Sequence, residues 1–557
     1  MDNLVFEESI NSEVDSSEFI SKKWIYVNDS NSQNYTSQVV IDSTPLSNAG
    51  GYINWQEAYI LMPLVVQLSC ATSANLPATE ATQALGQWSW AMKNSFIQMI
   101  NSMNVEFNNQ NIIQQTPLTN VFRSFKLMTS YSQNDLVNNG TNYGFYPDNV
   151  DGWEYIIGNS NAGTGLCNNN PSYARATLGA DLSVLSENSG IYNRNGFWNY
   201  IPIASLNSQA NVISALNCNT IYRSCQDVPD PLVAGVRSWR IYAKLRLKDL
   251  NEFFEKAPLL KGSTIRFYLN TNQTIVNFTV SGVSGSAVYT SVTPQVLGGL
   301  TNPLMLLPLK NTSTGFAQND LPDGNYSLSL SIYKNTNNNN GQTDVKSALQ
   351  ACRLYAPVYK FNPIAEQRYL SLAPTKKIEY NDIFQYQFTK ISAGEQFNFL
   401  VSNGIANIQS VLVTPLLSPS GNGTSYNTLL SPFSTTGGTP DPIPLTNFNI
   451  LVSGVNLFLN NELYDFEQFT QQLDESNQLN GNLTTGLTSG LISEASFQNG
   501  MRYYYGNCAR QLPSEMGVSR SIQIQGQNAS LREINILVFV EFKRSITIDI
   551  LTGARIE

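Results

Sequence analysis

From Ile534 to Phe542 every second residue is large and apolar (Ile534, Ile536, Val538, Val540 and Phe542), and the alternation resumes at Ile546, Ile548 and Ile550. A period of two places these side chains on one face of an extended strand, and that face must be buried against a second layer. Strand-like stretches recur: "FQYQFTKI", "FNFLVS", "SVLVTPLL" and "FNILVSGVNLFL" in the second half, and "AYILMPLVVQLSCA" (Ala58 to Ala71) in the first. The last is too short to span a bilayer and fits a buried strand. The pattern predicts an all-β protein of layered antiparallel sheets. A length of 557 residues implies more than one domain, and 42% apolar residues suffice to fill large cores.

One segment departs from this pattern. "RIYAKLRLKDLNEFFEKAPLLKGSTIRFYLN", Arg240 to Asn270, reads as strand, short helix, strand. Ile241, Ala243, Leu245 and Leu247 alternate with Tyr242, Lys244 and Arg246. Asp249 is placed to cap a helix, with Glu252 three residues on. Leu250, Phe253, Phe254 and Ala257 form one apolar stripe, and Pro258 and Gly262 end it. Ile265, Phe267 and Leu269 resume the strand. A helix of about two turns, ~13 Å, covers a sheet edge but is short for a parallel crossover. It is therefore expected to plug the open end of a β-sandwich with Phe253 and Phe254. A second short helix is expected around Leu118, Val121, Phe122 and Phe125. A third is expected from Asp465 to Leu473, with Phe466, Phe469 and Leu473 on one face.

The organisation follows from these blocks. Residues 1–45 form an acidic arm with only Lys22 and Lys23 as counter-charges. Residues 46–363 form a first sandwich, with a polar insertion at 139–231 opened by the turn dipeptide Asn139-Gly140 and a solvated loop at "NTNNNNGQT". Residues 364–377 are a Pro-containing linker, and 378–557 form a second sandwich. Each block carries its own strands and a short late helix, so tandem similar sandwiches are expected, with Asp249–Ala257 and Asp465–Leu473 in equivalent places.

The chemistry is largely exclusion. The chain has no histidine, which removes Ser-His-Asp, Cys-His and HExxH sites. Cys70, Cys167, Cys218, Cys225, Cys352 and Cys508 lack zinc-ligand spacing and read as reduced thiols, with a Cys218–Cys225 loop disulfide as the alternative. Ser331 and Lys334 match SxxK, yet residues three apart on a strand face opposite sides. Asp148, Asp151 and Glu154 cluster in a Gly/Asn loop, where turn chemistry is the simpler reading. Aromatic residues are not interleaved with Lys or Arg along the sequence, the net charge is −9, and no basic stripe appears, so direct nucleic-acid binding is not expected. No secretory pattern is read at the start. The sequons Asn277-Phe278-Thr279 and Asn482-Leu483-Thr484 are therefore read as unmodified. Catalytic residues, cofactors and metal ligands are expected to be none. Only 13% of residues are charged, a surface that suits long-lived assemblies. Two classes remain: a structural assembly protein, and a secreted β-sandwich that binds or acts on carbohydrate.

The segment Arg240 to Asn270 resembles the strand–helix–strand of major capsid proteins from polinton-like viruses and virophages. Lys93 to Met128, Ala351 to Pro363, Ile378 to Leu417 and Ser521 to Gly553 resemble the same family in the same order. The resemblance implies two eight-stranded jelly rolls in tandem. It also implies a homotrimeric, pseudo-hexameric capsomer tiling an icosahedral virion, with synthesis in the host cytoplasm. Implied partners are other copies of the chain, neighbouring capsomers, a penton protein and minor capsid proteins. Genome contact would be indirect, membrane contact is left open, and the 139–231 insertion would project as a tower.

Overall fold

The computed structural model describes residues 18–31, 35, 38–73, 88–148, 235–283, 286–296, 302–308, 324–332, 351–372, 374–418, 439–440, 442–459, 464–479, 489–510, 513–515, 517–550 and 555–556. Eight strands build the first sandwich: β1 (Phe19–Asn28), β2 (Gln38–Asp42), β3 (Tyr59–Cys70), β4 (Ile100–Phe107), β5 (Gln110–Ile113), β6 (Val236–Arg246), β7 (Ile265–Thr271) and β8 (Arg353–Phe361). Antiparallel pairing orders them β1-β8-β3-β6 in one sheet and β2-β7-β4-β5 in the other.

Eight more strands build the second sandwich: β9 (Thr375–Ile391), β10 (Gln396–Ala406), β11 (Ile408–Leu417), β12 (Leu445–Val452), β13 (Val455–Asn456), β14 (Tyr504–Asn507), β15 (Ser519–Asn528) and β16 (Ile534–Asp549). Their sheets run β9-β16-β11-β14 and β10-β15-β12-β13. The second order is the first displaced by eight strands, and both are the jelly-roll order. The fold is an all-β double jelly roll. The first sheet is also extended between β7 and β8: strand 324–332 pairs with Leu64–Cys70 of β3, 274–283 pairs with it, and 286–296 pairs with 274–283.

Alternation explains the burial. In β7 the residues Ile265, Phe267 and Leu269 point inward, as read from the sequence. β16 is different: its middle is buried on both faces, from Ile536 through Glu541. Ile536, Val538 and Val540 share one face of the strand; Leu537, Phe539 and Glu541 share the other, which lies against the first sandwich.

Three expectations need correction. The stretch assigned to an acidic arm supplies β1 and β2, paired with β8 and β7. Its strand signal is hidden because β1 is an edge strand carrying adjacent lysines, Lys22 and Lys23, both exposed. Next, Asp249 does not cap the helix. The turn splits at Asn251, whose side chain accepts from the Phe253 N–H at 2.8 Å, while Asp249 pairs with Arg246 at 2.6 Å. The resulting helix α2 (Glu252–Lys256) keeps the stripe, with Leu250, Phe253, Phe254 and Ala257 buried.

The third correction concerns helix equivalence. α2 lies between β6 and β7, whereas the helix at Asp465 lies between β13 and β14. In the first sandwich the corresponding place, between β5 and β6, is held by helix α1 (Thr119–Ser130). Duplication is therefore visible in the strand order and in α1. The linker contains an amphipathically weak helix, α3 (Pro363–Leu372), with no buried residue. α4 (Phe466–Leu479) is capped by Asp465, which accepts from Gln468 N–H at 2.9 Å, and α5 (Glu494–Asn499) follows it. Cys70, Cys352 and Cys508 are free thiols; Cys167, Cys218 and Cys225 lie outside the described residues, as do most of the 139–231 insertion, Asp151, Glu154, Lys334 and Asn482.

Lys93 is wholly buried beneath this framework. Burial pushes its ammonium down to about 7, against the pull of Asp148. The sign of the pH effect follows. Below pH 7 both folded and unfolded chains hold the proton and the cost is constant. Above it the folded lysine is neutral while the unfolded one stays charged, so stability rises. The gain between pH 7 and pH 9 is about 2 kcal/mol. Melting temperatures at the two pH values should show this rise in the wild type and not in Lys93→Met. An equal rise in both proteins would remove Lys93 as its source.

Candidate assembly interface

The two jelly rolls meet along a buried junction, and a single hydrophobic cluster runs through both. The helices of the first sandwich create it. Phe254 of α2 stacks on Phe267 of β7 at 5.5 Å, and Phe253 meets Phe107 of β4 edge-on at 6.3 Å. These are inward-facing residues, so α2 closes the sandwich as expected. Its outer side does more: Phe253 also meets Tyr380 of β9 at 5.3 Å. α1 continues the contact. Phe122 lies 5.8 Å from Phe539 of β16, and Phe125 lies 5.0 Å from Tyr503 and 5.4 Å from Tyr505 of β14. Gly490 packs directly under the Met128 carbonyl with φ of +67°, where any β-carbon would collide with α1 backbone.

Polar groups fix the register of this junction. The Tyr380 hydroxyl donates to the Ile112 carbonyl at 2.5 Å, and Thr116 Oγ1 donates to the Ile383 carbonyl at 2.7 Å. Asp382 accepts from Gln114 N–H at 3.2 Å and from Arg544 Nη1 at 3.0 Å. Glu252 of α2 accepts from Asn381 N–H at 2.8 Å. Glu541 accepts from Lys126 at 3.0 Å and from Ser410 Oγ at 2.7 Å. Burial pushes the Glu541 carboxyl up, but Lys126, Ser410 and Arg123 outweigh it and hold it below the usual range. Asp382 goes the other way, its burial exceeding the help from Gln114 and Arg544. Burial also lowers Arg123, opposed by Glu541, Asp382, Glu252 and Asp249 around it. At this contact α1 therefore brings positive charge, Arg123 and Lys126, to Glu541 of the second sandwich.

The matching sheet of the first sandwich, β1-β8-β3-β6, is covered on its outer face only along β6 among the described residues, where Tyr143 lies over Arg246 at 3.7 Å and over Lys244 at 5.6 Å. Tyr59 and Tyr355 stack at 5.1 Å, Tyr26 lies 5.5 Å from Tyr355, and Trp24 lies 5.6 Å from Tyr59. Trp24 and Tyr26 are 47% and 51% exposed. Cations sit over these rings: Lys244 over Tyr59 at 4.2 Å and Arg353 over Tyr26 at 4.5 Å. Lys22 lies over Trp24 at 5.6 Å and is also paired with Glu57. Along the sequence, aromatic and basic residues are not interleaved. The structure interleaves them across four strands, where linear spacing cannot show it.

Of the residues weighed as site candidates, Asp151, Glu154 and Lys334 lie outside the described residues. Asp148 is buried and accepts from Thr439 Oγ1 at 2.5 Å, and Ser331 lies on a regular strand. Among the described residues no cluster of potential metal ligands occurs, and no helix is long and apolar enough to cross a membrane.

No protein-family model matches the sequence, and no curated protein does. Solved structures similar to the chain include the mavirus major capsid protein, at 11% identity over 98% of this chain and 92% of that one, with a TM-score of 0.44. A chain of the Sputnik virophage cryo-EM structure is similar at 11% identity over 97% and 88%, with a TM-score of 0.38. The Faustovirus major capsid protein is similar at 10% identity over 95% and 91%, with a TM-score of 0.39.

Proposed function

We propose that this chain is a major capsid protein, a structural building block of an icosahedral virion and not an enzyme. The observation that carries the reading is the repeated jelly-roll order in one chain, with the two sandwiches locked by a buried junction. Such a chain presents two similar wedges in a set orientation. Three copies would supply six wedges, a near-hexagonal tile made from one gene product. The stretches that resemble virophage-type capsid proteins agree with this reading and lie in both sandwiches. In this reading the partners are other copies, neighbouring capsomers, a penton protein and minor capsid proteins, assembled after synthesis in the host cytoplasm. The working division is a first unit to residue 363 with the 139–231 insertion as an outward projection, a linker at 364–377, and a second unit from 378.

The purified chain is expected to be a trimer, since interfaces of this obligate kind bury ~2,000–5,000 Å². Light scattering coupled to size exclusion checks this. A stable monomer over a wide concentration range would refute the capsomer and return the carbohydrate-directed reading, for which a glycan array is the next measurement.

A further inference from the structure

We infer that the aromatic and cationic outer face of β1-β8-β3-β6 docks on the α4–α5 end of the second sandwich in a neighbouring copy. The inference rests on the capsomer reading and names the surfaces that join its chains. Its template is inside the molecule. There the outer face of the second sandwich's sheet β9-β16-β11-β14 is covered by α1 of the first sandwich. The equivalent sheet face of the first sandwich is covered along β6 by Tyr143, while Trp24 and Tyr26 on its β1 side stay half-exposed. The equivalent helix of the second sandwich, α4, has an exposed side at Asp465, Glu467 and Gln471. Placing the free sheet face on the free helix repeats the internal contact between chains. It joins unlike surfaces, so it propagates head to tail and closes into a ring when the rotation permits.

The charges select this pairing. Inside the chain a basic helix (Arg123, Lys126) meets the buried Glu541 on the outer sheet face. At the two free surfaces the signs are reversed. α4 and α5 contain no Lys or Arg, and Asp465, Glu467 and Glu494 are exposed there. Arg502 follows α5 but is half-buried over the Phe497 ring. The sheet face carries Lys22, Lys244, Arg246 and Arg353. Glu57 pairs with Lys22 and Asp249 with Arg246. Lys244 and Arg353 have no carboxylate in salt-bridge range among the described residues. Two contacts of the same shape and opposite polarity keep the sandwiches alternating around a ring. A basic helix on the basic sheet face would be repelled, and like-charge contacts of this kind cost several kcal/mol.

The test is charge reversal in the full-length protein. Glu467→Lys with Glu494→Lys alters only exposed helix residues. Lys244→Glu with Arg353→Glu alters the sheet face. Each pair alone should raise the concentration at which the trimer dissociates by about tenfold to a hundredfold, with the melting temperature of the dilute monomer nearly unchanged. The chain carrying all four changes should recover the trimer, because the contact is again between opposite charges. If wild type is trimeric and the helix pair leaves its dissociation unchanged, the assigned surfaces are wrong while the capsomer reading stands. Failure of the four-fold variant to recover, with each pair folded, also overturns the assignment. So does saturable binding of a labelled oligothymidylate to the trimer that is lost in the sheet-face variant. A monomeric wild type overturns both readings.

Discussion

Glu541→Ala is expected to destabilise the protein by about 1–3 kcal/mol, the usual cost of leaving charged hydrogen-bond partners unsatisfied, since Glu541 is buried while Lys126 is 35% exposed. The carboxylate is 5% exposed and holds Lys126 and Ser410. Its loss leaves the buried Arg123 guanidinium with one negative neighbour fewer. The substitution sits on β16, yet its effect should fall on the junction between the sandwiches. Limited proteolysis should show the linker helix α3 becoming cleavable before either sandwich unfolds. Combining Glu541→Leu with Lys126→Met should recover most of the loss, since apolar replacement of a whole buried pair is often neutral. Unfolding by denaturant measures both quantities. A single substitution costing under about 1 kcal/mol would mean that the pair is a solvated surface contact.

Phe253→Ala should cost about 3–5 kcal/mol, by a different route. The ring is fully buried and touches Phe107, Phe254 and Tyr380. Truncation opens a cavity shared by the first sandwich and the junction. Phe253→Leu, which keeps much of the volume, should cost far less. Loss of soluble trimer is the expected phenotype of the alanine variant, read by size exclusion and thermal melting. An unchanged melting temperature would mean that α2 does not hold the end of the sandwich.

Much of this architecture is local and was legible. Period-two alternation marked β6, β7 and β16, the unbroken apolar run marked β3, and helical spacing marked the stripes of α1, α2 and α4. The Asp465 cap needed only a carboxylate three residues ahead of an unpaired backbone N–H. The two lysines of β1 concealed an edge strand because an edge needs no second buried neighbour. The swap of Asp249 for Asn251 as cap was equally hidden, since Arg246 claims Asp249 only once β6 and the turn are placed.

The sequence by itself determined that this chain forms antiparallel β layers with a few short amphipathic helices, because alternation and capping are properties of neighbouring residues. The tertiary structure alone decided which helix corresponds to which, and what the charged residues do. Lys126 and Glu541 lie 415 positions apart, and the ring-and-cation face draws on β1, β3, β6 and β8. Such contacts depend on which strands become neighbours across the sheet. That choice is made by burial of whole faces over hundreds of residues, and no local spacing records it.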